Sequence, residues 1–314
     1  MDYMEIEMIC RLPGYLVILT LLLILSGCTK VRDISSQKYT YKSDHSLAWN
    51  INNASGMTPY YDAQVSPNAK LLFTRTDFDL SFPVVKANGF NEGSVSLTPL
   101  MEFVSVGLGP EDWLKDGILA WVPLALASTP AQASQVLSDT LEKAVISTLK
   151  ERGRSYGDVR KGKSNAFWLA KYVFQDNDGR YLVVKFEDAY AGCEVSTDKY
   201  YVSEHQNRPD CTFFTSFHDP EKIVSTPDFI NANGTGKSYL IRLDGIKGSY
   251  ISPVYEKLSS HSKADSLRLS YAFLQQVSRH LPSWVVFHLS PHEDEGLPAL
   301  ILKQGKVHFF VRAR

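Results

Sequence analysis

The sequence predicts an α+β protein with mixed or antiparallel sheets and with helices packed on one face. A helical apolar period followed by strand-like alternation occurs near residues 130–188, and the same order returns near 264–313. Helix-then-hairpin order favours antiparallel sheets covered by helices on one side. We therefore expect similar helix-plus-hairpin units in 49–190 and 191–314, although the two segments do not align well.

Composition agrees with a folded, β-rich body. The chain has 314 residues, 44% of them hydrophobic, with 16 Tyr, 16 Phe and 5 Trp, a content typical of sheets with substantial cores. Lys and Arg number 33 against 34 Asp and Glu. This balance produces no field that would steer nucleic acid, so we expect no nucleic-acid partner.

The N-terminus has the pattern of an export signal. In "RLPGYLVILTLLLILSGC", Arg11 precedes an apolar run from Tyr15 to Leu25. The run is shorter than a stable membrane-spanning helix requires and matches the apolar region of a signal peptide. The tetrad Leu25-Ser26-Gly27-Cys28 that follows resembles the lipobox of bacterial lipoproteins. An ordinary cleaved signal or a membrane anchor with a chance cysteine is the alternative, and translation starts at Met1 or Met8.

The resemblance implies a processed and lipidated protein. Residues 1–27 would be the signal peptide, and Cys28 would carry a diacylglycerol and, on its new amino group, an acyl chain such as palmitate. Residue 29 is Thr29 and not the aspartate that retains such proteins in the inner membrane. The resemblance therefore implies an outer-membrane anchor, with the body expected on the periplasmic side.

Residues 28–48 are predicted to be a polar tether between the lipid and the body. They are rich in Ser, Lys and Tyr and show no apolar period. The alternative is an edge strand at the Tyr-Thr-Tyr sequence of residues 39–41.

The first unit is predicted to begin with strands and to contain the clearest helix. Alternation predicts strands over 69–82 and 94–107, and Pro110-Glu111-Asp112 suits a first helical turn. The apolar stretch from Ile118 to Ala127 indicates a buried core segment or, as the alternative, a patch facing a membrane or a partner.

The helix is predicted over residues 130–152. Thr129 can cap it, Pro130 suits its first position, and Gly153 is a natural stop. One apolar face is expected to contain Leu137, Leu141, Ala144, Val145, Thr148 and Leu149. Strands are expected over 166–174 and 180–188.

The second unit repeats the order. Helical periodicity covers 264–281, "SWVVFHLS" has a strand pattern, and the last segment predicts two strands that meet at Gln304 and Gly305.

Two cysteines remain in the mature chain, Cys193 and Cys211, within a polar segment. An even pair in an oxidising compartment predicts one disulfide, worth about 3 kcal/mol by loop closure. Two free buried thiols are the alternative. No second Cys or His pair stands at zinc-finger spacing, so we expect no structural zinc.

The stretch "NANGTGKS" ends as a nucleotide-binding P-loop does. The motif requires glycine where this chain has Asn231, and the residues after Lys237 alternate as in a strand. A P-loop must open a helix so that the helix N-terminus faces the phosphates. We therefore expect a turn that leads into a strand, and no nucleotide.

Histidines in the C-terminal third are the other candidates for chemistry. His288 and His292 are four residues apart and the acidic run Glu293–Glu295 follows, but Pro291 separates the histidines. A solvated loop is favoured over a metal site, while His280 suits the C-terminal end of a helix. The sequence thus predicts no metal, no cofactor and no catalytic residue.

Two functional classes remain open. The first is a membrane-anchored, non-catalytic component or accessory of an envelope assembly, such as a secretion, conjugation or surface-polymer system, with envelope proteins as partners. The second is a periplasmic hydrolase or ligand-binding lipoprotein whose site lies in the C-terminal third. Fold class alone does not separate them.

Overall fold

The computed structural model describes residues 39–57, 61–65, 116–163, 180–187, 211–220, 222–230, 236–243, 263–291 and 298–313. The helices are α1 (Leu47–Ala54), α2 (Pro130–Glu151) and α3 (Lys263–Arg279). The strands are β1 (Ala63–Val65), β2 (Gly117–Pro123), β3 (Tyr156–Lys163), β4 (Arg180–Phe186), β5 (Cys211–Phe217), β6 (Lys222–Ser225), β7 (Lys237–Leu243), β8 (Val285–Leu289), β9 (Leu300–Lys303), β10 (Lys306–Phe309) and β11 (Val311–Ala313).

The strands form three sheets in the described part of the chain. The largest has the order β10-β9-β8-β2-β7-β6 and is antiparallel throughout. A second has the order β3-β4-β5 and is also antiparallel, and β1 pairs with β11 in parallel. The α+β prediction with mixed or antiparallel sheets is therefore confirmed.

The six-stranded sheet takes its strands from both predicted units. Strand β2 belongs to 49–190, whereas its neighbours β7 and β8 belong to 191–314. All these strands lie within one compact unit, Asp33–Arg314. The two segments therefore share one sheet, with β2 inside it.

Helix α2 forms as its sequence predicts. The Thr129 hydroxyl accepts a hydrogen bond from the Gln132 backbone N–H at 3.2 Å, and Pro130 occupies the first turn. Gly153 follows the helix with φ at +61°, a conformation that glycine adopts at little cost. All six residues of the predicted apolar face are buried: Leu137, Leu141, Ala144, Val145, Thr148 and Leu149.

Helix α2 contacts two sheets. It touches β2 and β7 of the six-stranded sheet as well as β4 and β5 of the three-stranded sheet. Helix α3 joins this contact region, because the Phe186 and Phe273 rings stack with their centroids 5.0 Å apart. The two long helices therefore pack against the six-stranded sheet and connect it to the three-stranded one.

Strand β2 accounts for the apolar stretch that begins at Ile118. Every residue of β2 is buried, and Trp121 is fully enclosed. A strand with both faces buried reads as a continuous apolar run, so the prediction of a core segment is confirmed for Gly117–Pro123. Leu126, beyond the strand, is 51% exposed.

The C-terminal elements also form as predicted. The β9–β10 turn places Gln304 at φ 50° and Gly305 at φ 79°, as a two-residue hairpin turn requires. Ser278 and Gln275 of α3 bond the backbone N–H and C=O of Gly305, each at 2.9 Å. A Cβ at Gly305 would lie 2.4 Å from the Arg279 side chain, so this position needs glycine for space as well.

Several predictions fall outside the described residues. These are the strands over 69–82, 94–107 and 166–174, and the helical turn at residues 110–112. Strand β4, Arg180–Phe186, confirms the strand predicted over 180–188. Helix α1 and strands β1, β3, β5 and β6 were not predicted.

The final residues of the predicted tether are packed against the body. The Lys42 backbone N–H donates to Asn50 Oδ1 at 2.8 Å, the Tyr39 hydroxyl donates to the same oxygen at 3.0 Å, and α1 begins at Leu47. Residues 39–41 are not in a strand. The packed body therefore begins no later than Tyr39.

Candidate functional site

The residues predicted for covalent chemistry lie mostly outside the described chain. Cys28 and Cys193 are not among the described residues, and of Cys211 only the backbone is described, at the start of β5 opposite Phe186. Lipidation at Cys28 and the Cys193–Cys211 disulfide therefore remain predictions.

Lys237 opens a strand, as predicted for the "NANGTGKS" stretch. Gly236 has φ at +61°, and β7 then runs from Lys237 to Leu243. The Ser238 hydroxyl is buried and lies 2.6 Å from the Thr226 hydroxyl. In a P-loop the corresponding hydroxyl would start a helix and face a phosphate and its metal ion. The element that follows Gly236 is therefore the predicted strand and not the helix of a P-loop.

Of the candidate pair His288 and His292, the structure describes only His288. His288 lies in β8, 1% exposed, opposite Gly117 of β2 and Ile301 of β9. His292 and the acidic run lie outside the described residues. Within the described ranges, no group of three His, Cys, Asp or Glu side chains stands close enough to hold a metal ion.

His280 follows the last residue of α3 and pairs with the neighbouring helix. Its Nε2 lies 3.1 Å from Glu151 Oε2, at the end of α2. This contact joins the C-terminal ends of the two long helices and does not reach the position of His288 in the sheet.

A buried carboxyl group that the sequence did not single out lies beside this sheet. Asp116 directly precedes β2, and its Oδ1 accepts a hydrogen bond from the Ser290 backbone N–H at 2.8 Å. The Tyr271 hydroxyl of α3 lies 3.4 Å from the same oxygen and 3.0 Å from the Ser290 carbonyl oxygen. Asp116 therefore connects the start of β2, the end of β8 and helix α3.

Burial dominates the electrostatics of this carboxyl. Burial raises the pKa of Asp116 to about 7, and the hydrogen bonds from Ser290 and Tyr271 offset only part of that rise. A carboxyl with a near-neutral pKa is found often at functional sites, although structural networks produce the same shift. Here the group is enclosed by backbone and by a tyrosine, which suits an internal anchor better than a group that meets a substrate.

A second buried titratable group lies at the edge of the same sheet. Burial, with smaller effects from Lys303 and Lys306, lowers the pKa of His308 to about 4. His308, Ile301 and His288 are aligned in the ladder, so their side chains share one face of the sheet. His308 is therefore neutral at neutral pH, and it lies partly buried on the edge strand β10.

The other candidate is a cluster at the N-terminal end of the body. The buried Asp62 carboxylate accepts hydrogen bonds from the backbone N–H and the hydroxyl of Ser46, the first at 2.8 Å, and contacts His45 Nδ1 at 3.1 Å. The Ser46 hydroxyl also accepts a bond from the Trp49 N–H at 3.0 Å and so caps α1.

Ser, His and Asp are the residues of a hydrolase triad, but their connections here are different. In a triad the histidine lies between the serine and the carboxylate, and takes the serine proton. Here the Ser46 hydroxyl donates directly to Asp62, and its acceptor capacity is used by Trp49. The arrangement fastens α1 to residue 62 and does not activate a nucleophile.

Aromatic side chains surround this cluster. Tyr39 and Tyr41 meet the Phe229 ring edge-on at 5.8 and 5.6 Å, and His45 stacks on Trp49 at 3.8 Å. We call the group formed by Tyr39, Tyr41, Lys42, His45, Trp49, Tyr61 and Phe229 the N-terminal surface.

Two features of these candidate sites were not predicted from the sequence. Asp116 carries a local signal, an acidic residue directly before an apolar strand, but its surroundings include Tyr271 of α3, which follows far along the chain. The N-terminal surface has no local signal, because Phe229 joins it from a distant segment.

Comparison with known proteins adds no family assignment. No family model matches the chain, and neither the curated proteins nor the solved structures provide a significant match. Among the residues that the structure describes, no helix has the length and apolar character needed to cross a membrane.

Proposed function

We propose that this chain is an exported bacterial lipoprotein, held on the outer membrane by lipid on Cys28, whose body is a non-catalytic component of an envelope assembly. The observation that carries the proposal is the tetrad Leu25-Ser26-Gly27-Cys28 directly after an apolar run. One acyl chain gives only reversible membrane binding, whereas two or three anchor a protein firmly. The lipid on Cys28 would thus serve as the anchor after the signal peptide is removed.

The placement of the titratable groups supports a non-catalytic body. Asp116, whose pKa is raised by burial, bonds the Ser290 backbone N–H and lies beside Tyr271 of α3. Ser46, His45 and Asp62 are used to fasten a helix. In both cases the hydrogen bonds have a structural use that needs no substrate.

Fractionation of the native envelope tests the anchor. Cys28→Ala should leave the protein uncleaved or release it from the outer-membrane fraction, since no thiol remains for lipid. Cys10→Ala is the matched control, because this cysteine lies in the segment that cleavage removes. Normal membrane retention of the Cys28→Ala protein would contradict the proposal.

Crosslinking in the native envelope, followed by purification and mass spectrometry, tests the assembly. A reproducible set of envelope proteins that is lost when the anchor is removed is the expected result. A protein recovered alone after efficient crosslinking would count against an assembly role.

Asp116 favours one alternative, a periplasmic hydrolase or ligand-binding lipoprotein with a site near the end of β8. Its near-neutral pKa is the property expected of a general acid or base. If purified protein turns over a substrate and folded Asp116→Asn protein does not, this alternative replaces the assembly role. Equal turnover or binding by the two proteins would remove it.

A further inference from the structure

The N-terminal surface concentrates exposed aromatic side chains in one place. Four large hydrophobic side chains are exposed among the described residues, and two of them, Tyr41 at 47% and Tyr61 at 64%, belong to this surface. Tyr39, Trp49 and Phe229 are half-buried beside them. The other two, Leu126 and Tyr156, are outside it.

Ring contacts and hydrogen bonds connect the surface into one group. Phe229 touches both Tyr39 and Tyr41, the Tyr39 hydroxyl reaches Asn50 of α1, and Lys42 Nζ lies 5.1 Å from the centre of the Trp49 ring. On the far side, His45 stacks on Trp49 and contacts Asp62, the neighbour of Tyr61. The rings are thus held by a helix and its capping network.

The rings have the chemistry of a membrane interface. Tyrosine and tryptophan each combine an apolar body with a polar tip, and they concentrate where hydrocarbon meets water. The Lys42 amine lies over the Trp49 ring, so this surface also presents a cation beside its aromatic rings. Asp44 is exposed as well, so charges of both signs are present; attraction here would come mainly from the rings and would depend little on salt.

Chain length keeps this surface close to the bilayer. Ten residues, 29–38, lie between Cys28 and Tyr39. Even at full extension they span at most roughly 40 Å, about the size of a small domain. If Cys28 carries the lipid, the N-terminal surface is the part of the described body with the shortest covalent path to the membrane.

We infer that the N-terminal surface contacts the lipid headgroup region of the membrane in which Cys28 is anchored. This inference rests on the proposed lipidation and adds an orientation to it. The occupant is a phospholipid surface, and the aromatic rings fix how the body stands on it. Lipid chains alone would leave the body free to rotate about its attachment.

Photocrosslinking in vesicles tests the inference with the full lipidated protein. The photoreactive residue p-benzoylphenylalanine replaces Tyr41 or, in matched controls, Leu126 or Tyr156. Each protein is reconstituted into vesicles of phosphatidylethanolamine and phosphatidylglycerol, floated, irradiated, and analysed for phospholipid adducts by mass spectrometry. Position 61 provides a second probe if the position 41 protein does not fold.

Several-fold more phospholipid adduct at position 41 or 61 than at 126 and 156 is the expected result, with little change at high salt. Equal adduct at all positions in floated protein would overturn the inference and leave the lipidation intact. Adducts between two copies in place of lipid would overturn it in favour of self-association. Protein that lacks lipid and does not float would defeat the proposed anchor and this inference together.

Discussion

Helices α1 and α2 are attached to the same body by different interactions. Helix α2 buries an apolar stripe between strands of two sheets. Helix α1 has eight residues and buries Asn50 and Asn52 together with Ala48 and Ile51. Hydrogen bonds donated by Asn50 to backbone carbonyls and by Ser46 to Asp62 supplement two buried apolar side chains, so its attachment depends more on polar atoms than that of α2.

The two kinds of attachment predict different local stabilities for the two helices. An apolar stripe is distributed over many contacts and resists local opening, whereas a helix held by polar contacts can open alone. We expect α2 to unfold only with the whole body and α1 to loosen before it. The N-terminal surface moves with α1, so its aromatic rings share that lower stability.

The largest expected effect is at the centre of α2. Leu141 is fully buried, so Leu141→Ala should cost about 2–5 kcal/mol through lost burial and the cavity left behind. Denaturant unfolding should show the cooperative transition of the whole body, α2 included, shifted to a lower denaturant concentration. Leu126→Ala, at an exposed leucine, is the control and should change stability little. Loss of α1 protection alone in the Leu141→Ala protein would contradict the comparison.

The second prediction concerns Asp116, which has fewer hydrogen-bond donors around it than Asp62 has and should make stability depend on pH. Since the pKa of Asp116 is raised to about 7 from 3.8, the folded state binds the proton more tightly than the unfolded chain. This group's contribution is therefore most favourable below pH 4 and is lost as pH rises through 7, on the order of a few kcal/mol. The Asp116→Asn variant lacks this titration. Its free energy of unfolding, relative to that of the native protein, should therefore increase as the pH rises.

Unfolding free energies across pH 4 to 8 check this difference. His308 acts in the opposite sense, since its lowered pKa of about 4 means that stability falls as pH drops from 6.5. Comparing Asp116→Asn with native protein at each pH cancels the His308 effect. Asp44→Asn, at an exposed carboxyl, is the control. A constant difference between Asp116→Asn and native protein would contradict the assigned burial.

The smallest expected effect is local. Asp62→Asn keeps the shape of the side chain but places an amide where Ser46 and His45 now meet a carboxylate. We expect a loss of about 1–3 kcal/mol in the attachment of α1. Hydrogen exchange should rise in residues 39–57 and stay unchanged in 130–151. Asp44→Asn is the matched control for Asp62→Asn, because Asp44 also contacts His45, at 3.6 Å. Equal exchange changes in both helices would refute separate attachment.

Sequence patterns predicted the elements whose burial follows a regular period. Helix α2 was predicted from Thr129, Pro130 and its apolar spacing, and the β9–β10 hairpin from Gln304 and Gly305. Helix α1 was missed because its buried face contains asparagines, which no apolar period reveals. Its position depends on Asp62 and on rings from a distant segment, and local patterns carry no information about such partners.

The candidate sites show the same limit. The strand after Lys237 was predicted because its alternation is local. The burial of Asp116 was not, because Tyr271 and Ser290 reach it from elements more than 150 residues away. Long-range packing decides which carboxyl group is desolvated, and neither composition nor residue spacing shows which one it is.

The central claim is that Cys28 becomes a lipidated N-terminus, and the mass of the N-terminal peptide of the mature protein tests it most directly. We expect a peptide that begins at Cys28 and carries the added mass of a diacylglycerol together with an amide-linked acyl chain. An N-terminus at another residue, or an unmodified Cys28, would contradict the proposed lipidation. Both the anchor and the membrane contact of the N-terminal surface would then be wrong.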